Sequence, residues 1–129
     1  MEIKIFDAEY RFMCIVWETE PISSPELVKL CLEEFGWKKS TTYSVIKRLS
    51  DRGALKNEKT IVTSLVSRLQ VQKYESEQIL EKTFDNSLPC FITAFLQDKK
   101  LTEDEAAQIK RMIEEASNGV CRPRYYQRP

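Results

Sequence analysis

At 129 residues and 15.1 kDa the chain has the size of one domain, or of a small domain with a short second module, and 42% hydrophobic with 31% charged residues excludes wholesale disorder. Histidine is absent, which removes the commonest general base, the imidazole-based triads and the commonest metal ligand, and no run approaches the ~18 apolar residues of a membrane span. The 20 basic and 20 acidic side chains cancel in total but not locally: residues 37–73 hold 9 basic and 2 acidic, against 3 and 8 in residues 1–36 and 5 and 10 in residues 74–119.

A first helix is predicted from Asp7, whose carboxylate can accept orphan backbone N–H groups, to about Glu18, with Tyr10, Met13, Val16 and Trp17 along one face. Pro21 closes it. Ser23-Ser24-Pro25-Glu26 then supplies an N-cap serine, a first-turn proline and an early carboxylate to a second helix carrying Leu27, Leu30 and Cys31 and ending near Phe35-Gly36. Ser40 or Thr41 opens a third, with Thr42, Val45, Ile46 and Leu49 turned inward. Gly36, Gly53 and Gly119 each follow a helical run and read as C-terminal caps.

Beyond Gly53 the composition becomes β-branched, and a hairpin is predicted from Ala54-Leu55-Lys56 through a turn at Asn57–Thr60 to Ile61–Ser67. The helical period returns from about Val71, with Tyr74, Ile79, Leu80 and Phe84. A second run, Leu88–Leu96, follows Ser87 with Pro89 in its first turn, and Thr102 with Glu105 forms a capping box for a last helix bearing Ile109, Met112 and Ile113. The expected order is ααα–ββ–ααα: a mainly helical fold with a small β-hairpin, divided into a winged helix-turn-helix domain over residues 1–70, a helical dimerisation region over 71–119 and a flexible tail over 120–129.

In a winged helix-turn-helix the third helix enters the major groove and the hairpin rides on the backbone, and the basic block covers those two elements. With its apolar face inward, the third helix points Ser40, Ser44 and Lys47 outward and sets Tyr43 and Arg48 on the flanks. Hydroxyls that donate or accept, a lysine that donates to guanine and a tyrosine edge suit base readout. Lys38 and Lys39 before the helix, Arg48 on its flank, and Arg52, Lys56 and Lys59 beyond it suit phosphate. Phe12, Trp17 and Trp37 are expected in the core rather than as stacking platforms. Ile79, Leu80, Phe84, Leu88, Phe91, Ile92, Phe95 and Leu96 form an apolar concentration too large for so small a module to bury alone, which predicts a homodimer core. Two-fold symmetry would set two recognition helices ~34 Å, or a multiple, apart on a palindromic site of double-stranded DNA.

Cys14, Cys31, Cys90 and Cys121 stand apart with no paired spacing, so buried thiols are expected and neither a metal site nor a cofactor. The N-terminus lacks a secretory h-region, which points to a cytoplasmic protein without a membrane partner. With carboxylates scattered along helix faces and no glycine-rich phosphate loop, an enzyme is not expected. The competing reading is a protein–protein interaction module of adaptor or anti-sigma type, in which the same basic face meets an acidic partner.

The run Phe6-Asp7-Ala8-Glu9-Tyr10 with Met13 and Ile15-Val16-Trp17, followed by Trp37, Thr41, Arg48-Leu49 and Gly53-Ala54-Leu55, resembles the penicillinase-repressor family of the BlaI/MecI/CopY type over about residues 5–117. The resemblance implies a dimeric winged-helix repressor of a palindromic operator, with helices at the C-terminal end as the dimerisation element and Ser40, Thr41 and Ser44 at the positions that approach bases. Thr41 enters the site on this ground alone. The helix start Lys38-Lys39-Ser40-Thr41-Thr42 departs from the Ser-Pro-Lys-Thr-like start of better-known members, and the hairpin lacks their Arg-x-aromatic pattern. Copper-sensing relatives carry C-x-C pairs that bind soft metal as thiolates, and this chain has none. β-Lactam-responsive relatives are cleaved at an Asn–Phe bond by a sensor protease; the matching pair here is Ala94–Phe95.

Overall fold

The computed structural model describes residues 4–117, so the expectations for Gly119, Cys121 and the tail 120–129 lie outside the described residues. The element order is α1 (Asp7–Thr19), β1 (Ile22–Ser23), α2 (Ser24–Phe35), α3 (Lys39–Asp51), β2 (Leu55–Glu58), β3 (Ile61–Ser64), α4 (Arg68–Phe84), α5 (Leu88–Phe95) and α6 (Glu103–Ser117). The chain forms two compact units whose division falls between Tyr74 and Glu75, inside α4.

In the first unit, α1 begins at Asp7 as predicted, but its cap is made by Glu9, whose carboxylate accepts the Phe6 N–H at 3.0 Å. Ser23 caps α2 by accepting the Glu26 N–H at 3.3 Å, Pro25 sits in the first turn, and Gly36 ends the helix in the left-handed region at φ +71°. The inward faces meet in one core of Phe12, Met13 and Val16 from α1, Leu27 and Cys31 from α2, and Val45, Ile46 and Leu49 from α3, closed by Leu55, Val62, Val66 and Val71. Each large side chain taken fully from water contributes roughly 1.5–3 kcal/mol. Trp17 and Trp37 pack against this core as expected, Trp37 stacking on Phe12 and Trp17 donating its indole N–H to the Val66 carbonyl at 2.9 Å.

The expected hairpin is there, and a third strand joins it. β3 lies between β1 and β2 in an antiparallel sheet, with Ile22 opposite Val62 on one side and Asn57 opposite Val62 on the other. Two residues at β1 are too few for periodicity to reveal. The turn is also tighter than predicted, because Asn57 and Glu58 pair with Val62 and Ile61 and only Lys59 and Thr60 remain to connect them. Both have positive φ, +53° and +64°, the type I′ geometry that matches strand twist and that glycine or asparagine normally supplies. A β-branched residue in this region is strained. Thr60→Gly is therefore expected to stabilise the fold by about 0.5–1 kcal/mol after the entropy cost of glycine, measured by urea unfolding.

The helix α4 starts at Arg68, ahead of the expected Val71, because Ser67 and Gln70 cap it reciprocally: the Ser67 N–H donates to Gln70 Oε1 at 2.8 Å and the Gln70 N–H to Ser67 Oγ at 3.0 Å. Its first turns belong to the winged unit, with Val71 fully buried.

In the second unit Asp85 and Asn86, both in the left-handed region, turn the chain into α5, whose N-cap Ser87 accepts the Cys90 N–H at 3.2 Å. Phe84 meets Phe91 edge to face at 5.2 Å, and Phe91 stacks on Phe95 at 6.0 Å. Thr102 and Glu105 form the predicted capping box at α6. No residue from Glu75 to Ser117 is buried within the single chain, and Ile79, Leu88, Ile92, Phe95, Ile109 and Ile113 are all exposed. Among the described residues the expectation of buried thiols holds for Cys31 alone; Cys14 is half-buried, and Cys90 is exposed on an apolar helix with no buried residue.

Candidate nucleic-acid interface

The third helix owes its orientation to its apolar row: Thr42, Val45, Ile46 and Leu49 are all buried, which fixes the opposite row outward. Ser40, Thr41, Ser44 and Lys47 are exposed on α3, and Lys38 and Lys39 are exposed at its start. Lys38 occupies the N-cap without a side-chain hydrogen bond, so the first-turn N–H groups face outward beside two ammonium groups. Tyr43 is half-buried against the core, with its hydroxyl 3.4 Å from Ser24 Oγ of α2. Gly53, at φ +82°, carries the chain from α3 into β2.

Exposed lysines lie along the hairpin. Lys56 is 3.6 Å from Glu58, and Lys59 is exposed at the turn. Lys47 is likewise 3.6 Å from Asp51, one turn along α3. Pairs so open to water hold their partners weakly and leave the cations available to other anions.

The two arginines at the end of α3 are placed differently. Glu9 of α1 is buried, its side chain 4% exposed, and it receives Arg52 through Nη1 at 2.7 Å and Nη2 at 2.9 Å. Arg48 reaches the same carboxylate through Nε at 3.3 Å. Arg52 also donates to the Lys4 carbonyl at 2.8 Å and lies over the Phe6 ring. Burial by itself would raise the Glu9 carboxyl, but hydrogen bonds from Arg52, the Phe6 N–H and Arg48, with the Arg52 charge, outweigh it and hold the group below its ordinary value. Glu9 is not among the site residues expected from the sequence. The signal was an acidic residue on the inward face of α1, in step with Met13 and Val16, opposite two arginines at i and i+4.

The expected dimer residues are all in the second unit. Ile79, Leu88, Ile92 and Phe95 are exposed, while Leu80, Phe84, Phe91 and Leu96 are half-buried. Ala94 and Phe95 are exposed in the last turn of α5. Among the described residues no three acidic or thiol side chains gather to hold a metal ion, and no helix is long and apolar enough to cross a membrane.

Three helices around one core, a hairpin whose turn carries a lysine and an outward polar row on the third helix define a winged helix-turn-helix of the DNA-binding class. The penicillinase repressor profile matches residues 5–115, and the chain belongs to that family, one of transcriptional repressors. It is 24% identical to the penicillinase repressor of Bacillus licheniformis over 119 residues, covering 89% of this chain and 93% of that protein. It is 21% identical to the methicillin resistance regulatory protein MecI of Staphylococcus aureus over 114 residues, covering 85% and 93%. Two solved structures also align over 53% of this chain: the DNA-binding domain of the repressor BlaI, with TM-score 0.48, 26% identity and 90% of that chain covered, and monomeric Bacillus licheniformis BlaI with the blaP half-operator, with TM-score 0.47, 25% identity and 88% covered.

Proposed function

We propose that this protein is a transcriptional repressor that binds a palindromic operator as a homodimer and acts by occluding a promoter, with no chemistry of its own. The observation that carries it is the family match over a winged helix whose third helix presents Ser40, Thr41, Ser44 and Lys47 to solvent beside a run of exposed lysines. In this reading the hydroxyls and Lys47 meet base edges, and Tyr43 props the helix from its flank. Lys38, Lys39, Arg48, Lys56 and Lys59 take phosphates and set affinity. The exposed apolar side chains of α4, α5 and α6 support a homodimer, whose two half-sites bind with the avidity of linked sites.

Release follows from whatever separates these helices. Cleavage at Ala94–Phe95 by a sensor protease is one such route, and it requires α5 to unwind, because a helical bond cannot enter a protease cleft in extended form.

The test is a selection of genomic fragments with the purified protein, followed by salt titration on the best fragment and on random DNA. A palindrome bound far more tightly than random DNA is expected; equal, steeply salt-dependent binding to both would remove the repressor reading and favour an interaction module with an acidic protein partner. On the selected fragment, Ser44→Ala is expected to lower discrimination against random DNA. Lys56→Ala is expected to weaken both and reduce the salt slope by about one unit or less.

A further inference from the structure

Arg52 and Arg48 share one carboxylate but are not used alike. Arg52 is closed in: its side chain is 30% exposed, both Nη groups meet Glu9, and Nη1 is also bonded to the Lys4 carbonyl. Arg48 touches Glu9 through Nε alone, and its side chain is 54% exposed. A guanidinium held at Nε keeps an Nη edge for a second oxyanion partner. Arg48, on the flank of α3, also lies in line with the exposed Thr41 and Ser44, at i, i+3 and i+7. Two cations against one carboxylate leave one positive charge unmatched, on the more exposed arginine.

We infer that Glu9 is a positioning residue for DNA engagement: through Arg52 it fixes the last turn of α3 against α1, and through Nε it aims the free edge of Arg48 at a backbone phosphate adjoining the bases met by Ser44 and Thr41. The inference rests on the operator-binding reading and deepens it. Phosphate contacts tolerate small movements of a helix, whereas base contacts do not, so a loosened α3 loses readout first. Glu9 thus serves specificity while lowering the positive charge of the surface by one.

The test is Glu9→Gln, which keeps the shape and removes the charge, beside Arg48→Lys, which keeps the charge and removes the planar fork. Glu9→Gln is expected to lower the affinity ratio of selected fragment to random DNA roughly tenfold, the value of one lost base contact, while random-DNA binding holds or tightens. A merely structural loss would weaken both DNAs together. Amide hydrogen exchange without DNA, read over residues 48–53, is expected to speed up with the α1 and α2 core unchanged. Arg48→Lys lies at an exposed position and retains the fold; it is expected to weaken selected and random DNA alike, with little change in salt slope. Unchanged discrimination in Glu9→Gln, or unchanged affinity for both DNAs in Arg48→Lys, overturns the inference, even where exchange is faster. Failure of the wild type to prefer any fragment overturns the operator reading itself and is recognised before any variant is made.

Discussion

Phe95→Glu is expected to convert the protein to a monomer and weaken operator binding by about a hundredfold or more, while each half-site contact survives. The helix α5, Leu-Pro-Cys-Phe-Ile-Thr-Ala-Phe, is apolar on nearly every position yet has no buried residue in the single chain. Phe95 is 53% exposed and Ile92 40%, so a second copy is the simplest cover for a surface that water would otherwise wet. A carboxylate placed there must be desolvated without a partner each time two copies meet, and the cost falls on association. Sedimentation gives the assembly state, and tryptophan emission reports the fold of the winged unit, because Trp17 and Trp37 both lie in it. A dimer that persists in Phe95→Glu with wild-type operator affinity would remove α5 from the proposed interface.

Arg52→Leu is expected to destabilise the winged unit by about 3 kcal/mol, because it leaves a buried carboxylate with only the 3.3 Å contact from Arg48 and the Phe6 N–H. The same pair sets an acid limit on stability. Glu9 is held below its ordinary value of 4.5, so its contribution is complete above that value and is lost as pH falls through the lower folded-state value. The groups that face it are the guanidinium groups of Arg48 and Arg52 from α3 and the Phe6 N–H. Urea unfolding of wild type and Glu9→Gln should therefore show a wild-type advantage that is constant at neutral pH and shrinks below about 4.5. An advantage independent of pH would show that the carboxylate's charge contributes nothing.

The helices were legible because their ends are spelled in the sequence: Ser23 with Pro25, Ser87 with Pro89, and Thr102 with Glu105 all cap where the residue types demand. The inward row of α3 followed from spacing alone, and with it the outward Ser40 and Ser44. What escaped was non-local. The strand β1 exists because Ile22 and Ser23 pair with β3 some forty residues away, and the Lys59-Thr60 turn adopts a geometry its residues do not favour because the register of Leu55 opposite Ser64 leaves it no other length. Asp7 was the expected cap of α1, yet Glu9 took that task. A carboxylate facing two arginines from another helix is also within reach of the Phe6 N–H, and only the folded arrangement brings those partners together. Likewise Arg52 reads as a phosphate contact in sequence and is bonded to Glu9 and the Lys4 carbonyl in space.

The bareness of the second unit has a consequence for dosage. With no residue from Glu75 to Ser117 buried in one chain, the proposed homodimer would bind the order of that half by mass action to the presence of another copy. Well below the dimer dissociation constant, halving the supply of chains cuts the paired form by about fourfold, since pairing goes as the square of concentration. Under the proposed mechanism a promoter guarded in this way answers to the amount of repressor made as sharply as to any inducer, so a pause in synthesis is itself a signal.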